Sequence, residues 1–246
     1  MDTDTQTTST TTAASIVLIP GHWLGAWAWD AVAAELRARG HRVTAVTLPG
    51  LDPDDPQRTS TTVSDQAEAL GAAVGAAAES SRVVLVAHSG AAIPTSVLLD
   101  RDPTAVARVI YVDSGPSDGS AFDDSIPPEA TEVPLPPFEH LAGSIAGLSD
   151  SDLQRFRERS VPMPASVMRE AVHLHNDARR DVPATIIACS FPTQTVLKMA
   201  RDGNPMMAEV ATLRHLELVD LPTGHWPMWS RSADLATAIA DAAAAG

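Results

Sequence analysis

The chain has 246 residues, 44% of them apolar, and a formal net charge of −14, which together favour one acidic globular domain with a sizeable core. This acidity disfavours nucleic acid and anionic membrane surfaces as partners, because both bind local positive charge. The single cysteine, Cys189, excludes an internal disulfide, and no apolar stretch reaches the roughly 20 residues of a membrane span.

The first 14 residues are polar and rich in threonine. They lack the positively charged start and apolar run of a secretory signal, so we predict a disordered tail over residues 1–14. A cytoplasmic location follows by default. Cys189 lies in an apolar run, where we expect a buried structural thiol rather than a nucleophile.

Strand and helix patterns alternate along the first half of the chain. Short β-branched runs predict buried parallel strands, and segments with apolar residues at helical spacing predict the helices between them. The predicted strands are 15–20, 42–48, 82–87 and 107–112, and the predicted helices are 25–39, 62–79 and 93–100.

This alternation stops in the middle of the chain. Clustered prolines predict a long loop there, followed by helices over 149–159 and 165–179. The alternation then resumes, with strands over 182–189 and 216–221 and helices over 193–201, 204–213 and 231–244. The order predicts an α/β fold, a mostly parallel sheet of about six strands with helices on both faces. We assign residues 15–113 and 182–246 to this core, and residues 114–181 to a helical lid inserted after the fourth strand.

Ser89 is the first candidate for chemistry. The segment V-L-V-A-H-S-G-A-A places it directly after a predicted strand, among small residues and just before a helix. A nucleophilic serine needs this sharp turn, which exposes its hydroxyl and directs a helix N-terminus at it. We predict that Ser89 is a nucleophile; the simpler alternative is a serine that caps the helix. The preceding His88 receives no role beyond packing in the turn.

His225 is the matching candidate for a general base. It follows Gly224 in a loop after the last predicted strand. Parallel strands bring their carboxyl ends to one edge of the sheet, so this loop lies at the same edge as Ser89. A histidine late in the chain also satisfies the serine–acid–histidine order, whereas a solvated loop histidine is the simpler alternative.

The turn after the first strand is a candidate for binding an oxyanion. It reads P-G-H-W-L-G-A-W, and Gly21 lets the chain turn tightly and leaves the amide of His22 free. We predict that this amide and the amide of Gly90 hold the oxyanion of a tetrahedral intermediate. The side chain of His22 receives no role, and an ordinary strand-to-helix turn is the alternative.

Four segments together resemble the α/β-hydrolase superfamily: the P-G-H-W-L-G-A-W-A-W turn, the A-H-S-G-A elbow, the Y-V-D-S-G-P strand end and the T-G-H-W-P loop. Within it the chain is similar to capped serine esterases and hydroxynitrile lyases, over nearly all of the sequence from residue 15 apart from the lid. Two features depart from the family pattern. Ala87 and Ala91 stand where the elbow usually has glycines, and Pro20 replaces the common histidine before Gly21.

The acid of the expected triad is the third candidate. Family members often carry it just after the strand that is 182–189 here, but that loop reads C-S-F-P-T-Q-T-V and holds no carboxylate. Asp113 ends the fourth strand beside the nucleophile strand, a position that some family members use. We predict that Asp113 orients His225 and stabilises its cation, with a turn-capping role as the alternative. More distant alternatives for the acid are Asp118, Asp202 and Asp220.

Apolar residues of the lid and of the two turns predict a substrate pocket. The pocket candidates are Trp23, Phe122, Phe138, Leu141 and Trp226. We expect no cofactor and no metal. His173 and His175 are two residues apart in a predicted helix, which directs their side chains away from each other.

We therefore predict a serine hydrolase that cleaves a small, uncharged, apolar carboxylic ester or lactone through an acyl-enzyme. One alternative is a non-hydrolytic enzyme of the same fold, such as a hydroxynitrile lyase, a C–C-cleaving enzyme or a cyclase. It is disfavoured because the only lysine, Lys198, lies in a predicted helix away from the site edge. The other is a ligand-binding protein on a hydrolase scaffold. A small-molecule substrate is the expected partner, and the oligomeric state stays open.

Overall fold

A computed structural model describes residues 13–245 of the chain. Within them, six strands form one parallel sheet in the order β2-β1-β3-β4-β7-β8, and β5 and β6 form a short antiparallel pair. The strands are β1 Ser15–Ile19, β2 Arg42–Ala45, β3 Val83–His88, β4 Arg108–Val112, β5 Glu132–Val133, β6 Met163–Pro164, β7 Ala184–Ala188 and β8 Leu216–Asp220. The prediction of a parallel sheet of about six strands is confirmed.

Helices cover both faces of the large sheet, as predicted. They are α1 Asp30–Ala38, α2 Val63–Ala78, α3 Ala92–Arg101, α4 Asp150–Arg159, α5 Ala165–Arg169, α6 Thr193–Arg201, α7 Pro227–Ser230 and α8 Ser232–Ala244. Helices α1 and α8 pack on one face, and α2, α3 and α6 on the other. Strand residues alternate between these faces: in β1, Ile16 and Leu18 face α1 and α8, whereas Val17 and Ile19 face the other group. The central strands β1, β3, β4 and β7 are therefore buried on both sides, whereas the edge strands β2 and β8 are partly exposed.

The strand order reverses between β1 and β3. The chain passes from β1 to β2 on one side of β1, and then crosses to β3 on the other side. Such a switch point opens a crevice beyond the carboxyl ends of the two strands. His22 lies in the turn that follows β1, and Ser89 directly follows β3.

The segment inserted after β4 contains less helix than predicted. The helix predicted over 165–179 ends at Arg169, so this prediction is wrong beyond that residue. The backbone N–H groups of His175 and Asn176 both donate to the Oδ1 atom of Asp100 in α3, at 2.7 Å. A side chain distant in sequence thus satisfies donors that a helix would pair internally. We call residues 114–181 the inserted segment from here on.

Two further boundaries differ from the predictions. The disordered tail was predicted over residues 1–14, of which residues 1–12 lie outside the described part of the chain. Ala14 is fully buried, and its amide donates to Nδ1 of His41 at 3.4 Å, so it belongs to the folded core. The helix predicted over 204–213 is a short 3₁₀ segment, Ala208–Thr212.

Candidate active site

Ser89 occupies the sharp turn that the sequence predicts. Strand β3 ends at His88, residues Ser89–Ala91 form one 3₁₀ turn, and α3 begins at Ala92. The φ of Ser89 is +52°, in the left-handed region that residues with a side chain rarely adopt. Such strain persists only where the surrounding structure imposes it, and it concentrates at functional sites.

A chain of hydrogen bonds joins three of the predicted site residues. The Oγ of Ser89 lies 2.8 Å from Nε2 of His225, and Nδ1 of the same ring lies 2.6 Å from Oδ2 of Asp113. Because a carboxylate only accepts, Nδ1 carries the proton and Nε2 is left to accept from the serine hydroxyl. A hydroxyl, an imidazole and a carboxylate joined in this order can act as a nucleophile, a base and a group that orients the base.

Asp113 is held firmly at the end of β4. Its φ is +47°, and its Oδ1 accepts from the backbone N–H groups of Cys189 and Ser190 at 2.9 and 2.8 Å. Its Oδ2 accepts from the hydroxyl of Ser190 at 2.6 Å as well as from His225. Burial opposes ionisation of this carboxyl, but the hydrogen bonds and the charge of His225 outweigh it and lower the pKa of Asp113 to about 2. Asp113 is therefore an anion throughout the neutral range.

The other aspartates considered from the sequence lie elsewhere. Asp202 pairs with Lys198 on the exposed side of α6, Asp220 accepts from the backbone and hydroxyl of Thr193, and Asp118 accepts from the amide of Ser120. Among the described residues, the carboxylate hydrogen-bonded to His225 is that of Asp113 alone.

The backbone of His225 is fixed from two sides. Its N–H donates to the carbonyl of Ser144 in the inserted segment at 2.7 Å, and its carbonyl accepts from Nε2 of His88 at 2.7 Å. The preceding Gly224 also approaches the inserted segment closely, because a Cβ built on it would lie 2.4 Å from the carbonyl oxygens of Ser144 and Ala146. A side chain at this position would push the histidine loop away.

The sequence reasoning missed the part that His88 plays. Its Nδ1 accepts from the backbone N–H of Gly21 at 3.3 Å, while its Nε2 donates to the carbonyl of His225. Burial, followed by the nearby His225, lowers its pKa to about 3, so the ring is neutral and held in one tautomer. His88 thereby links the turn after β1 to the histidine loop. Its place beside Ser89 was visible in the sequence, but its two bonding partners are 67 and 137 residues away.

His22 lies with its ring against Gly90. A Cβ built on Gly90 would lie only 2.1 Å from Nε2 of His22, so this position of the elbow must be glycine. The His22 side chain is 6% exposed, and burial, aided by the charge of His225, lowers its pKa to about 4. Within residues 13–245 neither the His22 amide nor the Gly90 amide bonds to another element. Both predicted oxyanion donors are therefore unpaired among the described residues.

The predicted pocket residues lie in three places. Leu141 lines a cavity of about 460 Å³ that Asp113 and His225 also border. The ring of Phe122, 54% exposed, meets the edge of His22 at 4.5 Å between centroids, and Trp23 meets it at 5.7 Å.

Phe138 and Trp226 are instead core residues, which corrects their assignment to the pocket. Both are buried, and their rings pack on Phe156 of α4 with centroids 5.5 and 4.9 Å apart. Trp226 still touches the ring of His225 edge-on, at 5.2 Å. It therefore backs the histidine from the core side.

Three further candidates from the sequence remain: Cys189, His173 and His175. Cys189 is buried and burial raises the pKa of its thiol, which fits the predicted structural role. His173 and His175 are outside any helix and their rings stack 6.2 Å apart, so the expectation that they diverge is wrong. The described residues contain no group of three or more side chains that could hold a metal ion. No helix among them is long and apolar enough to cross a membrane.

Comparison with known proteins finds similarity at two levels. A sequence model of the α/β-hydrolase family matches residues 16–238. Methylesterase 10 of Arabidopsis thaliana is 39% identical over 97 residues, which make up 39% of this chain and 35% of that protein. Esterase PIR7B of Oryza sativa subsp. japonica is 36% identical over 98 residues, or 39% of this chain and 37% of that protein. The matched part thus spans little more than a third of these curated relatives.

Solved structures match over almost the whole chain. An extracellular α/β-hydrolase from a Paenibacillus species has a TM-score of 0.73 at 19% identity, covering 93% of this chain and 98% of that one. A methylesterase from Arabidopsis has a TM-score of 0.72 at 18% identity, covering 94% and 98%. At such identities the likeness is one of fold.

Proposed function

Because the chain belongs to the α/β-hydrolase family, we propose that it is a serine esterase that cleaves a small, uncharged, rather apolar carboxylic ester or lactone. The observation that carries this proposal is the continuous hydrogen-bonded chain Ser89–His225–Asp113, with Ser89 on a left-handed turn at the end of β3. The names of the partial relatives, methylesterase and esterase, agree with this class of reaction.

The proposed reaction begins with proton transfer within this chain. Nε2 of His225 takes the proton of Ser89 as Oγ attacks the ester carbonyl carbon. Asp113, already an anion, stabilises the imidazolium that forms. The oxygen of the tetrahedral intermediate accepts from the amides of His22 and Gly90, which reach no other element among residues 13–245.

Collapse of the intermediate releases the alcohol. The C–O bond to the leaving group breaks, and that oxygen takes the proton from His225, which leaves the acyl group on Ser89. Water then repeats the cycle: His225 takes a proton from the water, the hydroxide attacks the acyl carbon, and the proton returns to Oγ of Ser89. Each proton transfer passes through His225, which is already hydrogen-bonded to Ser89 and Asp113 in the structure.

The surroundings of the site favour a neutral substrate. His22 and His88 are neutral at pH 7 because burial depresses their pKa values to about 4 and 3. Asp113 is the one carboxylate of the hydrogen-bonded chain, and both of its oxygens are occupied. A carboxylate on the substrate would meet an anion without a compensating cation. Methyl esters, which the relatives' names suggest, are suitable first substrates.

Labelling with a fluorophosphonate followed by intact mass measurement tests the proposal directly. We expect one adduct on the natural protein, none on Ser89→Ala, and undiminished labelling of Ser64→Ala, a control at an exposed serine of α2. Methyl acetate and p-nitrophenyl acetate then test turnover, with a burst of p-nitrophenol as the sign of an acyl-enzyme. Folded protein without an adduct and without ester turnover would refute the proposal and favour a binding protein on this scaffold.

A further inference from the structure

A cavity of about 460 Å³ opens beside the acid end of the hydrogen-bonded chain. We call it the acid-side cavity; it is bordered by Asp113 and His225 and lined by Ser114, Ile186, Val196 and Met207, among others. Phe191 and Met206 also line it and are 45% and 67% exposed, so apolar side chains flank its opening to solvent. About 150 Å³ is enough to hold a benzene ring. The cavity thus has room for a substituted ring.

The chemistry of the cavity wall selects what can bind. Most of the wall is apolar, and the oxygens of Asp113 are occupied by Cys189, Ser190 and His225. The hydroxyl oxygen of Ser114 is buried and has no hydrogen-bond partner among the described residues. Because that oxygen is closed to solvent, it offers no hydrogen bond to a group in the cavity. An uncharged, largely apolar group fits this wall.

The position of the cavity fixes which part of an ester would enter it. In the proposed reaction, the carbonyl oxygen faces the amides of His22 and Gly90, and the leaving oxygen faces His225. His225 borders the acid-side cavity, whereas Ser89, Gly90 and His22 do not. A group in this cavity is therefore attached through the leaving oxygen rather than through the acyl carbon.

We propose that the acid-side cavity binds the alcohol portion of the substrate, and that this portion is a bulky, uncharged, apolar group rather than methyl. The inference rests on the proposed esterase function and adds the side and the size of the group that is recognised. It makes Val196 and Met206 determinants of specificity for the leaving group.

Two isomeric esters separate the two sides of the substrate. Benzyl acetate carries its ring on the alcohol, and methyl phenylacetate carries the same ring on the acyl group. We expect kcat/KM of the natural protein to be at least tenfold higher for benzyl acetate, with methyl acetate as the reference without a ring. A preference for methyl phenylacetate, or none, overturns the inference but leaves the esterase proposal intact.

Substitutions then test the cavity itself. Val196→Phe fills it, and Leu197→Phe makes the same kind of change at the next residue of α6, which is partly exposed and outside the cavity. We expect the ratio of benzyl acetate to methyl acetate kcat/KM to fall at least tenfold in Val196→Phe and to stay within twofold in Leu197→Phe. Met206→Trp, at an exposed position of the opening, should lower the ratio in the same direction and decides the matter if Val196→Phe does not fold.

The controls keep the two proposals apart. Thermal melting and fluorophosphonate labelling show that a variant is folded and that Ser89 is reactive. If Val196→Phe and Met206→Trp are folded and labelled but keep the ratio of benzyl acetate to methyl acetate kcat/KM, the alcohol-side assignment is refuted. A selective loss of methyl phenylacetate turnover in these variants refutes it as well. Absence of both labelling and hydrolysis in the natural protein refutes the esterase function, and the inference with it.

Discussion

His88 offers the sharpest test of how the candidate site is held together. Its ring accepts from the amide of Gly21 through Nδ1 and donates to the carbonyl of His225 through Nε2. The two bonds can be removed separately. His88→Asn places an amide atom as many bonds from Cα as Nδ1 and keeps the Gly21 bond, whereas His88→Gln reaches as far as Nε2 and keeps the His225 bond. His88→Ala removes both.

The structure sets the size of the expected effects. His88→Asn and His88→Gln each leave one buried backbone group without a partner, which costs about 1–3 kcal/mol. We expect the free energy of unfolding to fall by about that amount for each single-bond variant, and by roughly twice as much for His88→Ala. His88→Asn loses the bond to the His225 carbonyl. If displacement of His225 raises the free energy of the transition state by half of the cost of that bond, kcat/KM falls by roughly three- to tenfold.

Urea titration gives the stability changes, and ester hydrolysis from pH 5 to 9 gives the kinetic ones. His88→Asn should alter the pH profile of kcat/KM, because it frees the loop that carries His225. His88→Gln should lower kcat because it releases the Gly21 amide and so loosens the turn that carries the His22 amide. It should leave the pH profile of kcat/KM unchanged. If all three variants lose stability but keep kcat/KM per folded molecule within twofold, His88 is a packing residue only and the reasoning is refuted.

Three further predictions follow from the same geometry. Asp113→Asn should lower kcat by about 10²–10³-fold, because it removes the buried negative partner of His225, while Asp202→Asn on exposed α6 changes kcat less than twofold in the same assay; a loss confined to the second variant would contradict the assignment. Gly90→Ala should destabilise the protein by about 1–3 kcal/mol in urea, since its Cβ meets the His22 ring, and adding His22→Ala should recover part of that loss; strictly additive effects would exclude the clash. His22 and His88 stay neutral when folded but take up protons near pH 6.5 when unfolded, so stability is full above pH 6.5 and falls toward pH 4 by up to about 3 kcal/mol per pH unit; thermal melting that is flat over this range would refute the depressed pKa values.

The sheet and the edge that carries the candidate residues could be predicted because local patterns determine both. Strand-length apolar runs separated by helical periodicity leave few arrangements other than a parallel sheet covered on both faces. Parallel strands share one carboxyl edge, so residues that directly follow them are brought together without any information on packing. That reasoning led to Ser89, Asp113 and His225 as neighbours, and their hydrogen-bonded contacts are observed.

The features that escaped prediction depend on partners distant in sequence. The apolar spacing predicted a helix that continues past Arg169, but the helix ends there. The backbone N–H groups of His175 and Asn176 donate to the Asp100 carboxylate instead of to helical carbonyls. Phe138 is an aromatic residue of the kind that often lines pockets, but it packs on Phe156 of α4 in the core. In each case one long-range contact outweighs a local propensity, and periodicity carries no signal of that contact.

The attachment of His225 to the inserted segment has a consequence for engineering this protein. Loop grafting treats such an insertion as a module that can be replaced between its two ends. Ser144, however, lies in the middle of the inserted segment, and its carbonyl restrains His225. A chimera that exchanges the whole segment would disturb one of the two backbone anchors of His225 and would lose activity for reasons unrelated to substrate fit. Grafts should therefore keep residues 144–146 together with Gly224, and should vary the stretch around Phe122, which contacts His22 and leaves the histidine loop untouched.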